Sequence, residues 1–273
     1  MVSASRKTNV QKRARVAMLH KRNHNPDHSR DYNKEYADLN NRQYAYDFDY
    51  ILRDYMIRQL SPLFPKGAVL EMGCYKGEFT KKLISFFDDI TVIEAASELV
   101  DECKQKLPNN ISFINQCFEE TQLDKKFDAV FLVHTLEHLD DPGLVLKKIN
   151  HWLTPNGKLF LVVPNANAAS RQIAVKMDLI SHNTAVTEGE KAHGHRCSYT
   201  LDTLYRDATQ SGLDVIQQGG IFFKPFANFQ FDRLIAEKII DRRYLDGCYQ
   251  LGMQYPELCA SIFVVCKKGE NSE

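Results

Sequence analysis

Short apolar runs alternate with amphipathic segments from residue 68 onward, and this alternation is what most limits how the chain can fold. The runs that have the composition of β-strands are Ala68–Met72, Ile90–Ile93, Ile111–Ile114, Phe127–Val133, Lys158–Val163, Leu213–Ile216 and Ser261–Cys266. Helical patterns lie between the earlier ones, at Glu78–Phe87, Ala96–Lys106 and Gly143–Trp152. Strands that alternate with helices form mostly parallel sheets covered on both faces. The sequence therefore predicts an α/β fold with a doubly wound seven-stranded sheet.

The pattern also divides the chain into three predicted parts. Residues 1–30 form a basic arm, in which Asp27 is the first acidic residue. Such an arm is a nucleic-acid-binding segment, an organelle transit peptide or simply a mobile terminus. Residues 31–66 are rich in tyrosine and predict a helical lid, and residues 67–273 carry the sheet. Two insertions, 165–200 and 221–258, are expected to form a cap over the crevice at the carboxyl ends of the strands.

Composition restricts the functional classes. Lys and Arg total 35 and Asp and Glu total 35, so overall charge gives no reason to expect nucleic acid or an anionic membrane as partner. There is no apolar run of membrane-spanning length and no apolar signal segment at the start. The 7 cysteines form no Cys-x-x-Cys pair, which predicts free thiols in a reducing compartment. We expect a cytoplasmic location and no membrane contact, and a homodimer is compatible with the sequence.

A glycine loop follows the first predicted strand. The strand ends at Glu71, and Gly73 and Gly77 then lead into a helix, in neither the dinucleotide-binding spacing nor the P-loop spacing. Glycine allows a sharp turn and a close approach of backbone to ligand, and a helix start offers free N–H groups. Glu94 ends the next strand about 20 residues later, where an acidic residue binds ribose hydroxyls. The alternative is that Glu94 caps the following helix.

These features, with Phe127–Val130, Leu136–Pro142 and Val162–Asn165, resemble the ordered motifs of class I S-adenosylmethionine (SAM)-dependent methyltransferases. The resemblance covers about residues 65–220. It is closest to a small-molecule subgroup that includes ubiquinone-type O-methyltransferases, and it implies a Rossmann-like methyltransferase fold with SAM as cofactor. The residues implied to bind SAM are Glu71, Gly73, Cys74, Gly77, Glu94, Ala95, Cys117, Phe118 and His134, with Tyr36, Arg42 and Tyr44 from the lid.

The adenine subsite departs from the family pattern. The family usually has an aspartate near Cys117, and this sequence reads Asn115-Gln116-Cys117-Phe118-Glu119 instead. Cys117 and Phe118 are therefore expected to contact adenine through backbone atoms and apolar packing.

A histidine cluster follows the fourth strand. If the segment were helical, His134, Glu137 and His138 would share one face at spacings of three and four residues. Two imidazoles and a carboxylate can bind a divalent metal such as Mg²⁺, which would orient an acceptor oxygen. The alternative is that His134 packs against SAM while Glu137 and His138 form local hydrogen bonds. His134 and His138 are also candidate catalytic residues.

A second histidine cluster lies in the first insertion, before the helix predicted at Leu201–Ser211 with Thr200 as its cap. His193 and His195 are candidates for a general base, because imidazole titrates near neutral pH, and His195 is preferred. Arg196 is a candidate for binding an acceptor carboxylate or phosphate. The other predicted substrate-binding residues are Tyr199, Phe222 and Lys224.

The predicted activity is in-line transfer of a methyl group from SAM to a small-molecule acceptor, by alignment of the reacting atoms. Oxygen, as hydroxyl or carboxylate, is the favoured acceptor atom, and nitrogen and sulfur are alternatives. A methyltransferase of RNA or protein that uses the basic arm is a further alternative, although Val133-His134-Thr135-Leu136 stands where many base N-methyltransferases have Asn/Asp-Pro-Pro-Tyr/Phe. The last alternative is a non-catalytic SAM-binding protein.

Overall fold

The computed structural model describes residues 30–40 and 46–269. The predicted basic arm, apart from its last residue, lies outside these residues, as do Arg42 and Tyr44.

A seven-stranded sheet forms the centre of the fold, in the order β3-β2-β1-β4-β5-β7-β6. All neighbouring strands are parallel except β7, which is antiparallel to both β5 and β6. The predicted fold class is therefore confirmed. The strands are β1 (Val69–Met72), β2 (Ile90–Ile93), β3 (Ser112–Ile114), β4 (Phe127–Val133), β5 (Leu153–Pro164), β6 (Leu213–Phe223) and β7 (Cys259–Lys268).

The helices precede the sheet, connect its strands and fill the two insertions. They are α1 (Tyr32–Asn40), α2 (Asp47–Leu60), α3 (Glu78–Leu83), α4 (Ser97–Lys106), α5 (Pro142–Trp152), α6 (Ala169–Lys176), α7 (Glu188–Ala192), α8 (Leu201–Gln210), α9 (Asn228–Ala236) and α10 (Arg242–Gln254). Thr200 caps α8 as predicted, because its side chain accepts a hydrogen bond from the Thr203 N–H. Among the described residues, no helix is both long and apolar enough to cross a membrane.

The central strands are apolar because helices cover both faces of the sheet. Every residue of β1 and β2 is buried. Alternate residues of β4 point to opposite faces, so that Phe131 belongs to the core cluster on one face and Val130 to that on the other. Since β1 pairs with both β2 and β4, the carboxyl ends of these three strands lie side by side. In doubly wound sheets this edge is where ligands bind.

Strand β6 continues seven residues beyond its predicted end at Ile216, to Phe223. The sequence did not predict this part of the strand, because its polar pair Gln217-Gln218 and its glycine pair Gly219-Gly220 lack the composition of a β-strand. The glycines are needed for close packing, because a Cβ on Gly219 would lie 2.9 Å from the Phe263 ring. The second insertion is therefore shorter than predicted, since its first residues belong to the sheet.

The prediction that Phe222 binds substrate is wrong. Its side chain is fully buried, and its ring packs against those of Phe48, Tyr55 and Phe231 at centroid distances of 5.2, 5.2 and 5.7 Å. Phe48 and Phe231 are themselves stacked at 4.1 Å. This aromatic cluster joins α2 to α9, and the Asp232 carboxylate reinforces the contact by accepting the Phe48 N–H at 2.7 Å.

We therefore expect Phe222→Ala to reduce the free energy of unfolding by about 3–5 kcal/mol, because it leaves a cavity within the aromatic cluster. Phe229→Ala is the matched control, since Phe229 is 57% exposed, and its effect should stay within about 0.5 kcal/mol. Denaturant unfolding of both variants measures the difference. Equal effects would contradict a structural role for Phe222.

Candidate active site

The loop after β1 has the backbone geometry that its glycines predict. Gly73 and Gly77 have φ angles of 79° and 76°. A Cβ on Gly73 would lie 2.8 Å from Thr135 Oγ1, so only glycine fits against the end of β4. The Thr135 hydroxyl lies within hydrogen-bond distance of two carbonyl oxygens, that of Val133 at 3.1 Å and that of Met72 at 3.3 Å, and the Gly73 N–H donates to the Ile93 carbonyl oxygen at 2.9 Å. The loop is thereby fixed to both neighbouring strands.

Glu94 ends β2 directly beside this loop. One carboxylate oxygen accepts the Tyr75 N–H at 3.3 Å, and the other accepts the Ala96 N–H at 3.1 Å. Burial raises the pKa of Glu94, and these backbone hydrogen bonds oppose the rise. The Asn115 amide donates to the carbonyl oxygens of Glu94 and Ala95, both at 2.9 Å, which connects β3 to the same turn. The geometry thus brings a buried acidic group against the glycine loop.

The other residues predicted around the cofactor lie in or near the same loops. The Cys74 and Cys103 Sγ atoms are 3.8 Å apart, and the Cys103 thiol donates to the Tyr75 carbonyl oxygen at 3.2 Å. Cys117 lies in the turn after β3, and the neighbouring Phe118 is buried. All seven cysteines are present as thiols and not as disulfides.

The Tyr36 side chain, on α1, contacts α4 and the glycine loop. Its ring lies edge-on to that of Tyr75 at 6.4 Å, and its hydroxyl donates to Glu102 Oε2 at 2.7 Å.

Glu71 in β1 is a buried acidic residue, and the charge of Arg53 on α2 acts on its pKa. Glu71 is buried, its Oε2 atom has no hydrogen-bond partner in the part of the chain that the structure describes, and burial raises its pKa to about 8. The charge of Arg53, on α2, acts against that rise in pKa, with a smaller effect than burial. Arg53 Nη1 donates to the Asp49 carbonyl oxygen at 3.1 Å, and no carboxylate pairs with it within the described residues. Sequence reasoning did not select Arg53, because an arginine in a polar helix has no local pattern that indicates a ligand.

His134 lies at the end of β4 with a left-handed φ of 51°. Its Nε2 atom is 2.9 Å from Ser261 Oγ. Burial lowers the pKa of His134 to about 3, and the charges of Arg53, His195 and Lys224 act in the same direction. The imidazole is therefore neutral at physiological pH.

The predicted helical face of His134, Glu137 and His138 does not form, because only a single 3₁₀ turn, Leu136–His138, follows His134. Within the described residues, the group able to hold a metal is Glu137, His138 and His195, whose ligand atoms all lie within 4.8 Å of one another. The prediction that His134 belongs to this set is wrong. Glu137 and His138 remain candidate ligands, and His195 from the first insertion is the third residue of the group.

Glu137 is the most unusual member of this triplet. It is buried, neither carboxyl oxygen has a hydrogen-bond partner among the described residues, and burial raises its pKa to about 8. The rings of His138 and His195 are edge-on at 4.6 Å. The Arg196 N–H donates to the Glu137 carbonyl oxygen at 2.8 Å, which holds the first insertion against the 3₁₀ turn. Buried ionisable groups with shifted pKa values are typical of functional sites.

A pocket opens beside this triplet, beyond the carboxyl end of β5. The lining residues are Glu137, Pro164, Asn165, Ala166, Arg171, Glu190, His195, Cys197 and Ser198. Arg171 and Glu190 form an ion pair at 2.5 Å within it. Burial lowers the pKa of His195, and the charge of Glu190 acts in the opposite direction. Sequence reasoning missed Arg171 and Glu190, whose pairing depends on how the insertion folds.

The remaining predicted catalytic and substrate-binding residues lie in different parts of the structure. Arg196 is half-exposed and its Nε atom pairs with Asp140 at 3.1 Å, on the protein surface. Tyr199 is buried and its backbone bridges to Asn165. His193 follows the last turn of α7.

Lys224, at the end of β6, is linked to the lid helix α2 through Asn228. The Lys224 ammonium donates to Asn228 Oδ1 at 2.7 Å, and Asn228 Nδ2 donates to Asp49 Oδ1 at 2.7 Å.

Sequence comparison relates this chain to methyltransferases. A family model described as a methyltransferase domain matches residues 42–218. A ubiquinone biosynthesis O-methyltransferase of Xanthomonas axonopodis pv. citri is 32% identical over 172 residues, which is 61% of this chain and 71% of the relative. The enzyme of the same name from Idiomarina loihiensis is 25% identical over 188 residues, covering 67% of this chain and 74% of that protein.

Solved structures share the fold at low sequence identity. A SAM-dependent methyltransferase of Thermotoga maritima, described as a possible histamine N-methyltransferase, matches with a TM-score of 0.58 at 14% identity, over 86% of this chain and 99% of the other. A phosphoethanolamine N-methyltransferase of Haemonchus contortus, solved with S-adenosylhomocysteine, matches with a TM-score of 0.57 at 13% identity, over 89% of this chain and 61% of the other. The chain belongs to the methyltransferase domain family and is a class I SAM-dependent methyltransferase.

Proposed function

We propose that this enzyme transfers the methyl group of SAM to an oxygen atom of a small-molecule acceptor. The observation that carries the proposal is the triplet of Glu137, His138 and His195 beside a pocket at the ends of β4 and β5. A hydroxyl acceptor needs a group to receive its proton, and neutral imidazole is suited to that task. The O-methyltransferases among the relatives support oxygen as the acceptor atom.

The cofactor is proposed to bind along the ends of β1 and β2. Glu94 would accept hydrogen bonds from the ribose hydroxyls, and the loop from Gly73 to Gly77 would pass close to the methionine part. Cys117 and Phe118 would contact the adenine through backbone atoms and apolar packing. The turn at Ala95, which Asn115 holds in place, lies between the ribose and adenine positions in this arrangement.

Arg53 is proposed to bind the methionine carboxylate of SAM. It comes from the lid helix α2, and its charge acts on the pKa of Glu71, where burial has the larger effect. A guanidinium with no carboxylate partner among the described residues is suited to pair with a carboxylate of the ligand. The sequence assigned this role to Tyr36, Arg42 and Tyr44, and Arg53 is proposed as a further candidate for it.

The methyl transfer requires alignment more than activation, because the sulfonium is a good leaving group. The acceptor oxygen forms a bond to the methyl carbon while the carbon–sulfur bond breaks, and the electron pair of that bond remains on sulfur. The hydroxyl proton passes to His195. A neutral His134 at the end of β4 avoids placing a second positive charge beside the sulfonium.

A divalent cation is a second way for the triplet to act. The buried carboxyl of Glu137, whose two oxygens lack hydrogen-bond partners within residues 30–40 and 46–269, favours this candidate. Two imidazoles and one carboxylate suit Zn²⁺, Mn²⁺ or Fe²⁺ better than Mg²⁺, which prefers oxygen ligands. A cation held by Glu137, His138 and His195 would polarise the acceptor oxygen and lower its pKa.

Incubation with [methyl-¹³C]SAM and a small-molecule extract tests the function. We expect a new O-methyl resonance, and His195→Asn should slow its formation about 10²–10⁴-fold without changing SAM affinity. His151→Asn, at an exposed position on α5, is the matched control and should retain full activity.

The same assay tests the divalent cation. Loss of product in EDTA and its return with Mn²⁺ would favour a mechanism in which the triplet holds a cation. Label on nitrogen, on sulfur or only on macromolecules would contradict the proposal.

Calorimetry of Arg53→Met tests the carboxylate assignment. S-adenosylhomocysteine contains the methionine carboxylate, and 5′-methylthioadenosine lacks it. The substitution should weaken binding of the first by about tenfold or more, the usual effect of a lost charged hydrogen bond, and leave the second unchanged. Arg58→Met, an exposed arginine on the same helix, should change neither affinity. Equal weakening of both ligands would assign Arg53 a structural role instead.

A further inference from the structure

Cys74 and Cys103 bring two thiols into contact beside the glycine loop. Their Sγ atoms are 3.8 Å apart, although the two residues are 29 positions apart in the sequence. Cys74 lies between Gly73 and Gly77, and Cys103 lies on α4. Two thiols in contact can be joined by a disulfide where the backbone allows their sulfur atoms to approach further.

The loop that carries Cys74 is the more adaptable of the two backbones. A disulfide bond is about 2.05 Å long, so the sulfur atoms would have to approach by about 1.8 Å. Gly73, Tyr75 and Gly77 have positive φ angles of 79°, 48° and 76°, so this segment is irregular and belongs to neither a helix nor a strand. Cys103 is held in a regular helix. Formation of the bond would therefore draw the loop towards α4.

The two sulfur atoms also contact the part of the loop that binds Glu94. The Cys103 thiol donates to the Tyr75 carbonyl oxygen at 3.2 Å, and Cys74 Sγ is 3.6 Å from the same oxygen. Cys74 Sγ is 4.0 Å from Glu94 Oε2, the oxygen that accepts the Tyr75 N–H at 3.3 Å. A Cβ on Gly77 would lie 3.2 Å from Cys103 Sγ, so the loop packs tightly on this sulfur. A change in the sulfur pair therefore affects both the loop and Glu94.

Both thiols are protected from rapid oxidation. Cys74 is 5% exposed and Cys103 is fully buried. The hydrogen bond to Cys103, together with burial, raises the pKa of Cys74, which keeps its sulfur in the thiol form at neutral pH. Since the thiolate is the reactive form, oxidation requires an opening of the loop and a small oxidant. The reaction is therefore expected to be slow and to need an excess of oxidant.

We propose that Cys74 and Cys103 form a site of oxidative modification, at which hydrogen peroxide joins their sulfur atoms in a disulfide and thereby weakens SAM binding. Cys74, the more exposed thiol, attacks one peroxide oxygen, the oxygen–oxygen bond breaks, and the second oxygen leaves as water. The Cys103 sulfur then attacks the Cys74 sulfur, a sulfur–sulfur bond forms, and the oxygen on Cys74 leaves as a second water. The two thiols lose two electrons and two protons, and the peroxide gains both.

The effect on the cofactor follows from the position of the loop. In the proposed cofactor site the loop passes close to the methionine part of SAM, and Glu94 binds the ribose. A shift of the loop towards α4 would disturb the hydrogen bond from the Tyr75 N–H to the Glu94 carboxylate. Loss of a hydrogen bond to a charged group changes an equilibrium constant by about tenfold or more. The effect on SAM rests on the proposed function, whereas formation of the disulfide does not.

Treatment of the reduced full chain with hydrogen peroxide tests the inference. The remaining thiols are alkylated, and disulfide-linked peptides are identified by mass spectrometry, where we expect Cys74 linked to Cys103. Calorimetric titration should then show that S-adenosylhomocysteine binds about tenfold or more weakly than to the reduced protein. Dithiothreitol should restore the affinity, because a disulfide is reducible and a sulfinic acid is not.

Two cysteine variants assign the effect to this pair. Every oxidised sample is treated with arsenite before titration, because arsenite reduces sulfenic acids and leaves disulfides intact. Cys103→Ser cannot form the bridge, so peroxide should leave its affinity for S-adenosylhomocysteine unchanged, and Cys103→Ala gives the same comparison if the serine variant does not fold. Cys248→Ser, at a buried cysteine on α10, is the matched control and should lose affinity on oxidation as the wild type does.

Thermodynamic linkage supplies an independent measurement. If the disulfide weakens S-adenosylhomocysteine binding, then bound S-adenosylhomocysteine must oppose the disulfide by the same factor. In glutathione redox buffers, saturating S-adenosylhomocysteine should therefore raise the midpoint potential of the pair by about 30 mV for each factor of ten in affinity.

The inference is overturned if peroxide yields no link between Cys74 and Cys103, or if the linked protein binds S-adenosylhomocysteine as tightly as the reduced protein does. It is also overturned if Cys103→Ser loses affinity on oxidation as the wild type does, or if S-adenosylhomocysteine leaves the midpoint potential unchanged. Failure of the reduced wild type to bind S-adenosylhomocysteine would instead count against the proposed function, and the disulfide would still be detected by mass.

Discussion

The close contact between Gly73 and Thr135 is the constraint on which the rest of the site depends. It brings the ends of β1 and β4 together, since the Thr135 hydroxyl lies within hydrogen-bond distance of the Met72 carbonyl oxygen and a Cβ on Gly73 would collide with that hydroxyl. With these ends fixed, the proposed cofactor position at Glu94 and the residues that follow β4 lie along one edge of the sheet. A side chain at position 73 would separate the two halves of the site.

Burial gives this edge an uncommon distribution of charge. Acidic groups that would normally be ionised, Glu71 and Glu137, have pKa values raised to about 8, and the pKa of His134 is lowered to about 3. We propose that the neutral imidazole of His134 allows a sulfonium to bind beside the end of β4.

The sequence predicted those parts of the molecule that depend on local patterns. Apolar runs located β1, β2 and β4, because strands buried on both faces contain little besides apolar residues. The same reasoning failed for the second half of β6, where glutamines and glycines belong to a strand whose partner is distant in the sequence. Helical spacing failed at His134, because a residue with left-handed φ cannot belong to an α-helix.

Tertiary packing determines how the residues of the site meet, both those that the sequence had named, His195 and Lys224, and one that it had not, Arg53. His195 reaches Glu137 and His138 only because the first insertion folds back on the 3₁₀ turn, and the Arg196 N–H bond to Glu137 fixes that position. Arg53 and Lys224 lie on α2 and at the end of β6, which the aromatic cluster of Phe48, Phe222 and Phe231 joins. No local motif carries such information. A contact between segments far apart in the chain has to be seen in the structure.

SAM is proposed to bind beside Glu94, and calorimetric titration with SAM measures whether this carboxylate contributes to binding. Wild-type protein should bind SAM, and Glu94→Ala should weaken binding by about 10–100-fold, the effect expected when hydrogen bonds to a charged group are lost. Glu98→Ala, at an exposed position on the neighbouring helix α4, should bind as the wild type does. Equal affinity of Glu94→Ala and wild type would contradict the assignment of this edge of the sheet as the cofactor site.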